Sequence, residues 1–209
     1  MRIFLGVSGA SGAAYAARAL HALTASGCEV GLCVSDSGAH VISHELLEGG
    51  PQPPDDRDAV VREFVARNAT GPGTVAVLGL NDLTAPFASG SSGAAAALIA
   101  PCSSATLGGI AHGTGRNLIH RCADVMLKER RPLVLLTRET PLSLIQIDNM
   151  AAVTRAGGLV MPASPGFYGL PRSVDDLVDH IVARALDALG VANHLSIRWG
   201  ETDSPAEGA

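Results

Sequence analysis

Aromatic residues are scarce in this 209-residue chain, at 3%, and charged ones reach only 17%. With few large rings to fill space, the core must close through aliphatic and small side chains, and abundant Ala and Gly suit helices packed tightly on a sheet. So little charge leaves surface that other subunits can cover. A net charge of −5 argues against a general surface for nucleic acid or anionic membranes. No apolar run reaches the ~20 residues that cross a bilayer, and the chain enters a strand at once instead of a charged leader. Cys28, Cys33, Cys102 and Cys122 show neither CxxC spacing nor the density of a secreted scaffold. Reduced, buried thiols and a cytoplasmic location are expected. Asn68-Ala69-Thr70 fits a glycosylation acceptor by chance alone.

The length suits one domain, residues 1–191, with a tail at 192–209. Its organising stretch is residues 2–22, RIFLGVSGASGAAYAARALHA. Ile3, Phe4, Leu5 and Val7 form an apolar strand, Gly9 and Gly12 open a turn, and a helical pattern starts at Ala13. Strand, small-residue turn and helix open a nucleotide-type α/β unit. The turn, Ser8-Gly9-Ala10-Ser11-Gly12, lacks both the G-x-G-x-x-G spacing and a Walker lysine. It reads either as a phosphate cradle at a helix N-terminus or as a tight turn beneath a close-packed helix.

Further on, a strand at 29–34 delivers Ser35 to a carboxyl edge, where open α/β sheets place ligands. The helix at 39–47 carries His40 and His44 at i, i+4 with Glu45 beside them; no third metal ligand has sensible spacing, so the polar side of the helix is the expected place for both. Residues 49–58 are a Pro, Gly and acidic linker, followed by a helix at 59–67 and a strand at 74–80. The loop at 81–93, with Ser89 and Ser91, is either a surface connection or a second phosphate contact or flap.

The apolar strand at 94–100 ends in Pro101-Cys102-Ser103-Ser104-Ala105-Thr106, again small hydroxyls at a carboxyl edge. Gly108, Gly109, Gly113 and Gly115 suggest a close-approaching, mobile stretch instead of a firm helix. On the helix at 117–131, Arg121, Asp124 and Lys128 share one face, either a solvated ion-pair face or, with Arg138, one wall of an anion cleft. Glu139 leaves the strand at 132–137 as either a proton-handling carboxylate beside cations or half of a surface Arg-Glu pair.

A helix at 142–156, a short strand at 159–161 and a turn-rich loop with Phe167 and Tyr168 follow. Ser173 with Asp176 at N3 caps the last helix, 174–189, so Asp175-Asp176-Leu177-Val178-Asp179 reads as capping and not as a magnesium motif. Arg184 sits mid-helix among apolar neighbours and wants an anionic partner. In the tail, Ile197 and Trp199 are the only anchors, and 201–209 is expected to be disordered.

The runs SGASGA, NDLTAPFASGSS, PCSSATLGGIAHG, ADVMLKERRPLVLLTRETPL, MPASPGFYGLPRSVDDLVDHIVAR and RWGE together resemble the UbiX/Pad1 family of flavin prenyltransferases over nearly the whole chain. The resemblance implies a three-layer, Rossmann-like (flavodoxin-like) α/β fold with a mostly parallel sheet, and a homododecamer. It implies that a dimethylallyl group passes from dimethylallyl monophosphate to N5 and C6 of reduced FMN, without metal. The prenylated FMN then goes to a UbiD-type decarboxylase. By the same resemblance Gly9, Ala10, Ser11, Ser35, Ser103, Ser104, Ala105 and Thr106 meet the flavin phosphate and ribityl group, with Arg138 close to the flavin.

Lys128, Tyr168 and Arg184 would grip the prenyl phosphate, with Arg121 and Glu45 nearby and Ser89 and Ser91 in the same region. Glu139 matches the acid/base carboxylate. Some members carry Trp where this chain has Leu83, which bears on donor preference. Two rivals are an FMN-dependent cysteine-type decarboxylase, which would need a catalytic His among His40, His44, His112 and His120, and a non-catalytic flavin carrier.

Overall fold

A computed structural model describes residues 1–47 and 56–195. Strands and helices alternate along the chain: β1 (Arg2–Val7), α1 (Ala13–Ala25), β2 (Glu29–Val34), α2 (Asp36–Leu46), α3 (Arg57–Asn68), β3 (Thr74–Leu78), β4 (Ala96–Cys102), α4 (Ser104–Ala111), α5 (Leu118–Lys128), β5 (Leu133–Thr137), α6 (Leu144–Arg155), β6 (Leu159–Pro162) and α7 (Val174–Ala188). Two short 3-10 turns, Pro86–Ala88 and Gly90–Ser92, interrupt the loop before β4. Most of the expected linker, together with Ile197, Trp199 and residues 201–209, lies outside the described residues.

The strands form one sheet in the order β3-β2-β1-β4-β5-β6, with every pairing parallel. Leu5 of β1 sits opposite Leu32 on one side and Leu98 on the other, so the apolar centres of the three middle strands stack in register. The chain reverses its direction of travel across the sheet between β1 and β4. That reversal opens a crevice at the carboxyl edge, where adjacent connections leave for opposite faces.

Strand alternation sorts the core into two clusters. Ile3, Leu5 and Val7 pack with residues of α1, α2, α3 and α7, and Phe4 packs on the opposite face with residues of α4 and α5. Phe4 and Phe87 meet at 5.5 Å between ring centroids. Phe87 also packs tightly on Gly31, where an added Cβ would run into its ring. One aromatic pair thus replaces the bulk that the composition lacks.

The stretch expected to be only weakly helical forms α4, with Gly108 and Gly109 inside it. A Cβ on Gly109 would stand 2.5 Å from Cε1 of His120, and one on Gly108 would stand 3.3 Å from the Asn149 side chain. These glycines serve close helix packing, which outweighs their intrinsic cost of ~1 kcal/mol each.

Candidate functional site

A cleft of about 630 Å³ opens at the carboxyl edge, lined by Gly9 after β1, Ser35 and Ser37 after β2, Ser103, Ser104, Ala105 and Thr106 after β4, and Glu139 after β5. Its size is that of a small-molecule site. Helices α2, α4 and α5 begin at this wall, the first two behind serine caps. Ser35 caps α2 by accepting from the Gly38 N–H at 3.0 Å. Ser103 caps α4 by accepting from the Thr106 N–H at 3.3 Å and donates its own proton to Thr106 Oγ1 at 3.1 Å. Paired helix N-termini with hydroxyl caps suit an anionic, polyhydroxylated ligand. Gly9 keeps the wall open: any Cβ there would collide with Ser37.

The turn after β1 works differently from a bare phosphate cradle. Ser8 is buried, donates to the Pro101 carbonyl at 2.9 Å and accepts from the Ser103 N–H at 2.8 Å, so it splices β1 to β4 across the switch point. The N-terminus of α1 is already occupied. The Glu45 carboxylate accepts from the Gly12 N–H at 3.0 Å and the Ala13 N–H at 2.7 Å. The start of α1 is therefore already occupied, and Glu45 serves it as a cap supplied from another helix. Ala10 is buried in the turn, Ser11 is exposed, and the Ser11 carbonyl accepts from Arg138 Nε at 3.2 Å.

Glu139 stands in the cleft wall. Its Oε2 accepts from Ser104 Oγ at 3.0 Å and its Oε1 from the Thr140 N–H at 3.1 Å. The other proposed groups lie apart within one chain. Helix α5 runs back toward the start of β5, so Lys128 emerges at the amino edge of the sheet, beside Glu129. Arg121, one end of the expected anion-binding face, pairs with Asp124 at 2.6 Å and donates to the Ala88 carbonyl at 3.0 Å. The expected single cleft holding Arg121, Lys128 and Arg138 is not formed within the chain, because α5 is antiparallel to the strands.

Ser89 and Ser91 hydrogen-bond to one another at 3.0 Å, exposed, in the loop whose Gly90 carbonyl accepts from Arg131 at 2.7 Å. They therefore accompany Lys128 and not Glu139. Arg184 is exposed on α7, whose buried residues belong to the other face of the sheet. Tyr168 is 57% exposed and lies edge-on to His180, with centroids 5.6 Å apart. Leu83 is 51% exposed beyond β3.

Ser37 and Arg116 are wall residues that carry no sequence signal, whereas the sequence singles out His120 only for a rival reading. Asn117 was legible as an N-cap, and its Oδ1 accepts from the His120 N–H at 3.0 Å. His120 is only 9% exposed, and burial, aided by Arg116, lowers its pKa. His40 and His44 are exposed on α2, and among the described residues no group of three or more His, Cys, Asp or Glu is placed to hold a metal ion. All four cysteines are free and buried, and burial pushes Cys33 and Cys102 up to about 12. No helix among the described residues is long and apolar enough to cross a membrane.

The family model described as Flavoprotein matches residues 1–186. The flavin prenyltransferase UbiX of Halalkalibacterium halodurans is 45% identical over 197 residues, which cover 94% of this chain and 92% of that protein. The chain belongs to the UbiX/Pad1 flavin prenyltransferase family. A member solved as AnUbiX (PadA1) in complex with FMN and dimethylallyl pyrophosphate superposes with a TM-score of 0.83 at 37% identity, covering 97% of this chain and 98% of its own. A dodecameric FMN-dependent UbiX-like decarboxylase from Escherichia coli O157:H7 gives a TM-score of 0.81 at 35% identity, with 96% and 100% covered. The UbiX/Pad1 fold is thus the flavodoxin-like arrangement described above.

Proposed function

We propose that this protein is a flavin prenyltransferase of the UbiX type, which makes prenylated FMN from reduced FMN and a dimethylallyl phosphate. The observation that carries the reading is Glu139, a hydrogen-bonded carboxylate in the wall of a hydroxyl-lined cleft at the switch point. That wall fits FMN: Gly9 admits a ligand close to the backbone, and Ser35, Ser103 and Thr106 sit at helix starts suited to its phosphate and ribityl hydroxyls. Bound there in its reduced form, FMN supplies the electron-rich N5 and C6 that receive the prenyl group. Arg138, tied to the Ser11 carbonyl, would lie close to the flavin. Glu139 would carry the proton that leaves the flavin ring and protonate the departing phosphate, and the cations would stabilise that dianion without metal.

Lys128, Arg121, Tyr168 and Arg184 would reach the donor phosphate from neighbouring subunits. Their dispersal over one chain supports this, and so does exposed apolar surface elsewhere on the chain. Leu144, Ile145, Phe167, Leu170 and Val174 are between 68% and 81% exposed, more apolar surface than an isolated chain tolerates well. The dodecamer of the Escherichia coli relative is the assembly we assign. The donor is the monophosphate by the family pattern, whereas the AnUbiX complex contains the pyrophosphate. Transfer of the product to a UbiD-type decarboxylase, and a cytoplasmic location, complete the proposal.

The test incubates purified protein with reduced FMN and either dimethylallyl monophosphate or pyrophosphate and weighs the flavin by mass spectrometry. A gain of one dimethylallyl unit is expected, faster with the monophosphate. Bound flavin with no gain from either donor rejects the catalytic reading and leaves a flavin carrier.

A further inference from the structure

Glu139 is the last acceptor in a chain of hydrogen bonds whose direction is fixed from its far end. The Ser143 N–H, a donor that cannot reverse, points at Gln146 Oε1 at 2.7 Å. The Gln146 amide is therefore oriented with its nitrogen outward, and Nε2 donates to Ser104 Oγ at 2.8 Å. With its lone pair engaged, the Ser104 hydroxyl turns its single proton to Glu139 Oε2 at 3.0 Å. Each link has one possible polarity, so the first turn of α6 determines what Glu139 meets in the cleft.

Resting on the prenyltransferase reading, we propose that Gln146 is a positioning residue for Glu139, acting through Ser104 to hold the carboxylate in place as an acceptor. Gln146 also completes the capping box of α6, with its own N–H donating to Ser143 Oγ at 3.4 Å. The two duties can be separated chemically. A glutamate at this position keeps the box, since Ser-x-x-Glu is its standard form. It has no proton to donate, however. In Gln146→Glu the Ser104 hydroxyl must turn to the new carboxylate, and Glu139 keeps only the Thr140 N–H as a donor. The other charged or titratable side chains lining the cleft with Glu139 are Arg116 and His120, and neither changes in the variant.

The experiment compares wild type, Gln146→Glu and Ser104→Ala, the last removing the middle link without touching the cap. Carbon-13 NMR of flavin-free protein at one fixed pH, with Glu139→Gln used to assign the signal, follows the chemical shift of the Glu139 carboxyl carbon, which reports the hydrogen bond from Ser104. Both variants should displace that signal from its wild-type position. In Gln146→Glu the kcat for flavin prenylation should drop about tenfold, while KM for FMN and the unfolding temperature stay unchanged. An unmoved signal in either folded variant overturns the relay, even if kcat has fallen. A displaced signal in a protein whose wild type makes no prenylated flavin supports the relay and rejects the enzymatic reading instead.

Discussion

The two edges of the sheet are built by different rules. At the carboxyl edge, Gly9, Ser35, Ser103 and Glu139 converge within one chain, each a residue or two beyond a strand end, with Thr106 in the first turn of α4 beside them. Lys128 lies at the amino edge, and Arg121 and Arg184 lie on opposite faces of the sheet, on α5 and α7. Topology gathers the first group automatically, because parallel strands deliver every carboxyl end to one side. Nothing in one chain gathers the second group. On the proposed reading, the flavin half of the site would be gathered by one chain, and the donor half would await an assembly.

Removing Glu139 tests the half that one chain completes. Glu139→Gln keeps the shape and the ability to accept from Ser104, so flavin binding should survive while product formation falls about a hundredfold. Flavin fluorescence titration beside a single-turnover assay separates the two; unchanged turnover would remove the carboxylate from the chemistry.

The other half is tested by mixing. Lys128→Ala alone should raise KM for the prenyl donor by about tenfold or more and leave FMN affinity unaltered. Co-assembly of Lys128→Ala chains with Glu139→Gln chains then distinguishes one chain from two. If each site draws Lys128 and Glu139 from different subunits, random assembly gives each an even chance of being intact, so about one site in four regains both. If both come from one chain, no site does, and the mixture shows no activity beyond the average of its parents. The latter result would end the shared-site proposal.

The same division explains what could be read from the sequence. The start of α1 at residue 13 and the bounds of β2, residues 29–34, match expectation, because an apolar run closed by glycine has few alternatives. The carboxyl-edge hydroxyls were legible for the same local reason. Three things were not. Glu45 caps a helix 32 residues away, a contact that no spacing rule encodes. Gly108 and Gly109 read as weakness in a helix until His120 and Asn149 arrive against them from α5 and α6. Lys128 and Arg121 share a helix face as expected, but where that face points depends on the direction of α5. Gln146 left a faint trace, the Ser143-x-x-Gln146 pattern of a capping box, which gives no hint of the second bond to Ser104.

The smallest expected effect belongs to His120, which borders the cleft without a hydrogen-bond partner for its buried Nδ1. Burial first, and Arg116 second, lower its pKa in the folded chain, so the unfolded chain binds the proton more readily. Stability linked to this residue is thus fully present above the unfolded value of about 6.5 and is lost as pH falls from there through the folded value. One proton limits the slope to about 1.4 kcal/mol per pH unit. His120→Gln should flatten the acid limb of a pH series of denaturant unfolding, while the carboxylates elsewhere keep their share. If the two proteins lose stability in parallel between about pH 7 and pH 5, His120 is not held neutral by its surroundings, and the wall between α4 and α5 is wetter than its packing suggests.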